Sequence, residues 1–229
     1  MRCLNLVATF AITLVIGAVG ACNRKADTQT DSTQGGKPAE TFADSQAAAT
    51  QSLAVFRQLV NNQNYKELGF ESVDEVANAT LGDPLPVVFV RLDQLREYHE
   101  GTDLNGLLSQ TNQMNYPVMA RDQVRSSVVV EQVNGRWKTS TVGNGALAKL
   151  IVTARSGRAN AAGPTQQALV HVAALSLHFL AERRENKWTL TPLTASPELN
   201  LAAGSAIPAE EVFTRLAAAA KSLRDDAPS

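Results

Sequence analysis

Val124-Arg125-Ser126-Ser127-Val128-Val129-Val130-Glu131-Gln132-Val133, then Asn134-Gly135, then Arg136-Trp137-Lys138-Thr139-Ser140-Thr141-Val142, is the stretch on which the fold turns. β-branched residues fill its first arm. Val124, Ser126, Val128 and Val130 fall on one side of an extended chain. Arg125, Ser127, Val129 and Glu131 fall on the other. Asn-Gly between two such runs is a strong hairpin signal, because both residues tolerate the positive φ of a tight two-residue turn. The chain therefore contains antiparallel sheet. Tyr116 to Ala120 supplies a strand before the hairpin, joined to it by Arg121-Asp122-Gln123. Gly143-Asn144-Gly145 after it turns into a helix over Ala146 to Arg155.

The second half repeats the order. Gln167 to Arg183 reads as one extended run, Glu185-Asn186 as a turn and Lys187 to Leu193 as a return strand. Aligning Trp137 with Trp188 places Glu131 on Glu182 and Asn134-Gly135 on Glu185-Asn186. A helix follows from Pro208, with Glu210 and Glu211 in its first turn, where the helix dipole favours acids. Val212, Phe213, Leu216, Ala220 and Leu223 form its apolar face. Upstream, Ser45 to Asn61 has Leu53, Phe56, Leu59 and Val60 at helical spacing. Ser72-Val73-Asp74-Glu75 has the capping-box pattern that opens a short helix. Pro86 to Leu92 reads as a strand; Asp93 to Tyr98 and Asp103 to Ser109 read as helical turns. The expected fold class is α+β: an antiparallel sheet of about five strands packed against helices, ordered as two hairpin-plus-helix units.

The start of the chain carries an address. Met1-Arg2-Cys3 is followed by an apolar run from Leu4 to Val19, then Gly20-Ala21-Cys22. A basic start, a short apolar run and small residues before a break make a secretory signal. Val19-Gly20-Ala21-Cys22 resembles the lipobox of bacterial lipoproteins. That resemblance implies removal of residues 1–21 and acylation of Cys22 with palmitate-type chains. Asn23, not Asp, follows the cysteine, which among Gram-negative lipoproteins implies the outer membrane facing the periplasm. The whole chain has two cysteines, and Cys3 leaves with the signal. Cys22 would otherwise be an odd thiol in an oxidising compartment, which calls for an explanation that acylation supplies. Residues 22–44 are almost wholly polar and read as a disordered tether, about 25 Å in r.m.s. span. Residues 45–225 then form a single globular domain.

A net charge of −1 over 229 residues gives no strong field of either sign. No basic face for nucleic acid is visible. No cofactor or metal is expected. His171 and His178 are seven apart on what reads as a continuous strand, so they are expected on opposite faces. Gly143-Asn144-Gly145-Ala146-Leu147-Ala148 has the dinucleotide spacing G-x-G-x-x-A. It follows an antiparallel hairpin rather than opening a βαβ unit, and reads as a plain strand-to-helix turn. Trp137 and Trp188 are expected to pack a sheet face, and Arg183-Arg184 to end a strand in solvent. His99 lies among Glu97, Glu100 and Asp103, with Ser109 beyond.

The expected function is a non-enzymatic binding or assembly role in the cell envelope. The partners would be the membrane, through the anchor on Cys22, and an envelope protein still to be identified. One alternative is an inhibitor or chaperone of a secreted protease. Another is a hydrolase using His99. An apolar groove favours binding; a deep pocket of converging polar groups around His99 favours chemistry.

Overall fold

The computed structural model describes residues 38–108, 112–156 and 166–223, with side chains from residue 44 onward. In chain order the elements are α1 (Pro38–Leu59), α2 (Val73–Ala77), β1 (Thr80–Leu81), β2 (Leu85–Val90), α3 (Leu92–Glu97), α4 (Leu104–Leu108), β3 (Gln113–Ala120), β4 (Gln123–Val133), β5 (Arg136–Gly143), α5 (Gly145–Ser156), β6 (Gln166–Val172), β7 (Leu177–Arg184), β8 (Lys187–Pro192), β9 (Ile207–Pro208) and α6 (Ala209–Ser222). The class is α+β, as the patterning requires. α1 begins at Pro38, so the last residues of the expected tether are helical. Proline suits a first helical turn, where its missing N–H costs nothing.

The sheet is larger than the expected five strands. Among the described residues it has nine, in the order β5-β4-β3-β2-β6-β7-β8-β9, with β1 paired to β3. Two short strands, β1 and β9, carry too few residues to show a period in the sequence. Two meanders, β3-β4-β5 and β6-β7-β8, run outward from the centre in opposite directions. They meet at β2, which pairs antiparallel with β3 and parallel with β6. That parallel seam joins segments far apart in sequence, and no local pattern announces it.

Three tight turns build the meanders. Arg121-Asp122, Asn134-Gly135 and Glu185-Asn186 all have positive φ at both central residues, as the type I′ hairpin turn demands. The proposed Trp equivalence holds in the register: Gln132 pairs with Trp137 and Arg183 with Trp188, each one pair in from the turn-closing pair.

The expected continuous strand from Gln167 to Arg183 does not form. Ala173–Leu175 make a 3-10 turn, and Ser176 takes a left-handed conformation with φ +53. The chain reverses there, so β6 and β7 are hairpin partners.

One sheet face carries α1 over the first meander and α3, α4 and α6 over the second. Ala49, Leu53, Phe56 and Val60 of α1 pack on Met114, Tyr116, Val128 and Val130. Val212, Phe213 and Leu216 of α6 pack on Val170, Phe179 and Leu190. On the opposite face α5 lays Ile151 on Leu85, Val87, Leu169 and Leu180. Both faces of β4 are therefore covered near its start, and residues 124–128 are all buried. Leu59 departs from its expected place on the core side of α1 and is 62% exposed.

Candidate binding groove

α1 has a second apolar stripe beside its core stripe. Ala49, Leu53, Phe56 and Val60 point into the core. Ala48, Val55 and Leu59 lie beside them at helical spacing, with Val55 50% and Leu59 62% exposed. Beneath this stripe runs β5, at one end of the sheet. Its register puts Trp137, Thr139 and Val142 on the α1 side. Between helix and strand lies a groove of about 420 Å³. Val55, Phe56, Leu59, Trp137 and Val142 give it apolar walls, and Lys138 is the one charged residue among those that line it.

The groove is held open from below. Ser52 Oγ donates to the Ala48 carbonyl at 2.7 Å, which uses its only proton. Thr139 therefore donates to Ser52 Oγ, at 2.5 Å, and ties β5 to α1. Ser45 and Tyr116 add a buried hydroxyl pair at 2.7 Å. Burial raises the Tyr116 phenol above its ordinary pKa, and the Ser45 bond works against that rise. Trp137 Nε1 is buried without a hydrogen-bond partner.

The outer edge of β5 is blunted. Val130 pairs with Thr139 and Val129 with Thr141, so Ser140 is an extra residue in a bulge. A bulge and a lysine are both devices that stop an edge from templating another strand. The groove on the α1 side remains as the accessible apolar feature of this flank.

The other residues singled out in the sequence fall elsewhere. Cys22 and Ser109 lie outside the described residues. His99 is exposed beside a shallow depression of about 690 Å³ that also includes Tyr98, Glu100, Glu210, Glu211 and Lys221. Its Nδ1 stands 3.0 Å from the Glu100 carbonyl oxygen. The Asp103 carboxylate accepts the Asn105 and Gly106 amides at 2.9 and 3.2 Å, capping α4. The two are thus committed to backbone groups and not to each other.

His171 and His178 overturn the expectation of opposite faces. They pair directly across β6 and β7, because the turn at Ala173–Leu175 folds one strand back on the other. Phe89, 45% exposed, extends the row, its ring 5.3 Å from that of His171. Burial lowers the His171 pKa; burial and then the neighbouring His171 push His178 down to about 4. Among the described residues no three His, Cys, Asp or Glu gather as metal ligands would.

The two glycines of Gly143-Asn144-Gly145 serve the backbone: Gly143 takes φ +120 with open space around it, and Gly145 permits close packing. Asn144, with φ +57, caps α5 by accepting the Leu147 amide at 3.2 Å. Gly145 lies so close to β4 that a Cβ on it would sit 2.2 Å from the Arg125 carbonyl oxygen. The side chain of Arg125 is buried and pairs with Glu75 at 2.8 Å and Glu71 at 2.9 Å. Burial pushes the Glu75 carboxyl up, but the Glu71 amide and Arg125 outweigh it and hold the group below its usual range. Trp188 is 3% exposed and donates from Nε1 to Asn105 at 3.0 Å. Arg183 lies over its ring, and Arg184 pairs with Glu182, so this arginine pair does more than end a strand in solvent.

Sequence reasoning missed the groove. Its signal was the second stripe, Ala48, Val55 and Leu59, offset from the core stripe on the same helix. Among the described residues no helix is long and apolar enough to cross a membrane. No protein-family model matches this chain, and no curated protein or solved structure matches it either.

Proposed function

We propose that this chain is a lipid-anchored cell-envelope protein with a non-enzymatic binding role, tethered by acyl chains on Cys22 and binding through the α1/β5 groove. The groove is the observation that carries the binding role: it leaves Val55 and Leu59 half or more exposed beside Trp137. Exposed apolar side chains set side by side mark interaction sites on soluble surfaces. Val19-Gly20-Ala21-Cys22 supports the anchor. Two or more acyl chains hold a protein stably on a bilayer, where one is marginal. The outer membrane, facing the periplasm, is the favoured location in a Gram-negative cell.

Two measurements test this reading. The wild-type chain should take up a palmitate analogue in cells, and Cys22→Ala should not; a variant still labelled and still membrane-bound overturns the anchor. A photo-crosslinking residue at Leu59 should trap one discrete envelope component, and the same probe at exposed Thr214 on α6 should not. Equal trapping at both positions, or none at either, overturns the groove as the binding surface.

A further inference from the structure

We propose that His171 and His178 form an open two-histidine site for a divalent transition-metal ion, copper(II) above the others. The pair lies on the sheet face that carries α5, away from the α1/β5 groove, and the inference stands independently of that groove.

Both histidines are held in place by the sheet. β6 and β7 are interior strands, flanked by β2 and β8, so the backbones that carry the two rings are fixed. His171 and His178 are directly opposite in the register. Side chains so placed leave the sheet on one face, with Cβ atoms about 4.5–5.5 Å apart. It is the face on which Leu169 and Leu180, two residues away along each strand, meet α5.

The ring nitrogens are not committed elsewhere. Among the described residues neither imidazole has a hydrogen-bond partner. His171 meets His178 on one side and Phe89 on the other through ring contacts. Burial holds both imidazoles toward the neutral form, the one a metal takes. A bound ion sits about 2.0–2.1 Å from each imidazole nitrogen, so neighbouring nitrogens stand about 3 Å apart. Rings stacked at 4.3 Å reach that spacing by leaning together and opening the stack. The χ2 torsion of histidine is broad, and neither ring is fully enclosed, so the lean is allowed.

The donor set names the ion. Imidazole suits copper, nickel and zinc, whereas magnesium and calcium take oxygen. Two protein ligands make neither a closed structural centre nor a three-ligand catalytic one. Water or a group from another molecule completes the shell, so the ion is exchangeable. Copper(II) heads the divalent affinity order and accepts a square plane in which two nitrogens fill neighbouring corners.

The test uses the full, untagged chain, stripped of metal by a chelator and titrated with copper(II). One ion should bind per chain, and its electron paramagnetic resonance should show hyperfine structure from two nitrogens. A matching concentration of manganese(II) should not displace it. His171→Gln and His178→Gln should each leave one nitrogen in the spectrum. Each should also weaken binding by about tenfold or more, because the second imidazole otherwise binds at the high effective concentration of a tethered group. His99→Gln and Cys22→Ala should change neither the spectrum nor the affinity. Melting temperatures of the metal-free variants report that they fold. Wild type alone supplies a second measurement: substoichiometric copper(II) should broaden the NMR signals of His171, His178 and Phe89 before those of His99. A one-nitrogen spectrum in wild type, or affinity unchanged in His171→Gln, overturns the proposal. Loss of binding in Cys22→Ala or His99→Gln, displacement by manganese(II), or broadening at His99 first does the same.

Discussion

His171 and His178 stack face to face on the sheet, their ring centroids 4.3 Å apart and their planes within 10° of parallel. Two imidazoles so close cannot both carry charge without repulsion, and partial burial penalises either charge. The His178 pKa is accordingly about 4, against 6.5 for a free imidazole.

Acid should therefore weaken this protein before its carboxylates titrate. A folded-state pKa below the unfolded value means that the unfolded chain takes up protons the folded chain refuses. The stabilising difference is complete above pH 6.5 and fades as pH falls toward 4. Melting temperatures at pH 7.5, 6, 5 and 4.5 should fall in wild type and fall distinctly less in His178→Leu. Parallel curves for the two proteins would show that the pair does not set the acid response.

The two tryptophans should respond differently to truncation, despite their matched registers. Trp188 is core and hydrogen-bonded, so Trp188→Ala should cost about 3–5 kcal/mol. Trp137 borders the groove, and Trp137→Ala should cost clearly less. Urea unfolding of both variants checks the order, and equal losses would contradict the burial difference.

Glu75→Ala should be among the most damaging single changes at a charged residue. It leaves Arg125 buried with only exposed Glu71 as partner, at a cost of about 3 kcal/mol or more. Removing both charges in Glu75→Ala/Arg125→Met should recover most of that loss. A double-mutant cycle in denaturant reads the coupling, and additive losses would dissolve the pair.

Two glycines should answer in opposite directions. Alanine at Gly145 must push on the Arg125 backbone and should destabilise by about 1–3 kcal/mol. Alanine at Gly106 in α4 meets only the Asp103 carboxylate, at an ordinary 3.5 Å. There the gain in helix propensity should stabilise by about 0.5–1 kcal/mol. Thermal melts of Gly145→Ala and Gly106→Ala give the sign of each.

The hairpins were legible where chemistry is local. Asn134-Gly135 declares its turn by residue type, and Trp137 with Trp188 exposed the matching turn at Glu185-Asn186. Ser72 and Glu75 announced α2 in the same way: the Ser72 hydroxyl accepts the Glu75 amide at 3.3 Å. The turn at Ala173–Leu175 was not legible. It contains neither glycine nor proline, and one serine absorbs the positive φ because strand pairing on both sides over-determines it. With that turn hidden, the His171 and His178 stack was hidden too. The groove shared this fate in part. Leu59 satisfies the helical period, but period alone does not say which of two adjacent stripes meets the sheet.

The parallel seam between β2 and β6 has a consequence for how the protein is made. Val90 is synthesised well before its partner Val172. At ~5–20 residues per second, translation takes about 4–16 s to cross that interval. Once Gly143 has been made, within that interval, α1 and the first meander can close on one side of β2 while its other side stands as a bare apolar edge. Only the arrival of β6 seals it. The nascent chain thus passes through a defined interval in which a holding chaperone has one strand to shield, and a second nascent copy has one strand to steal.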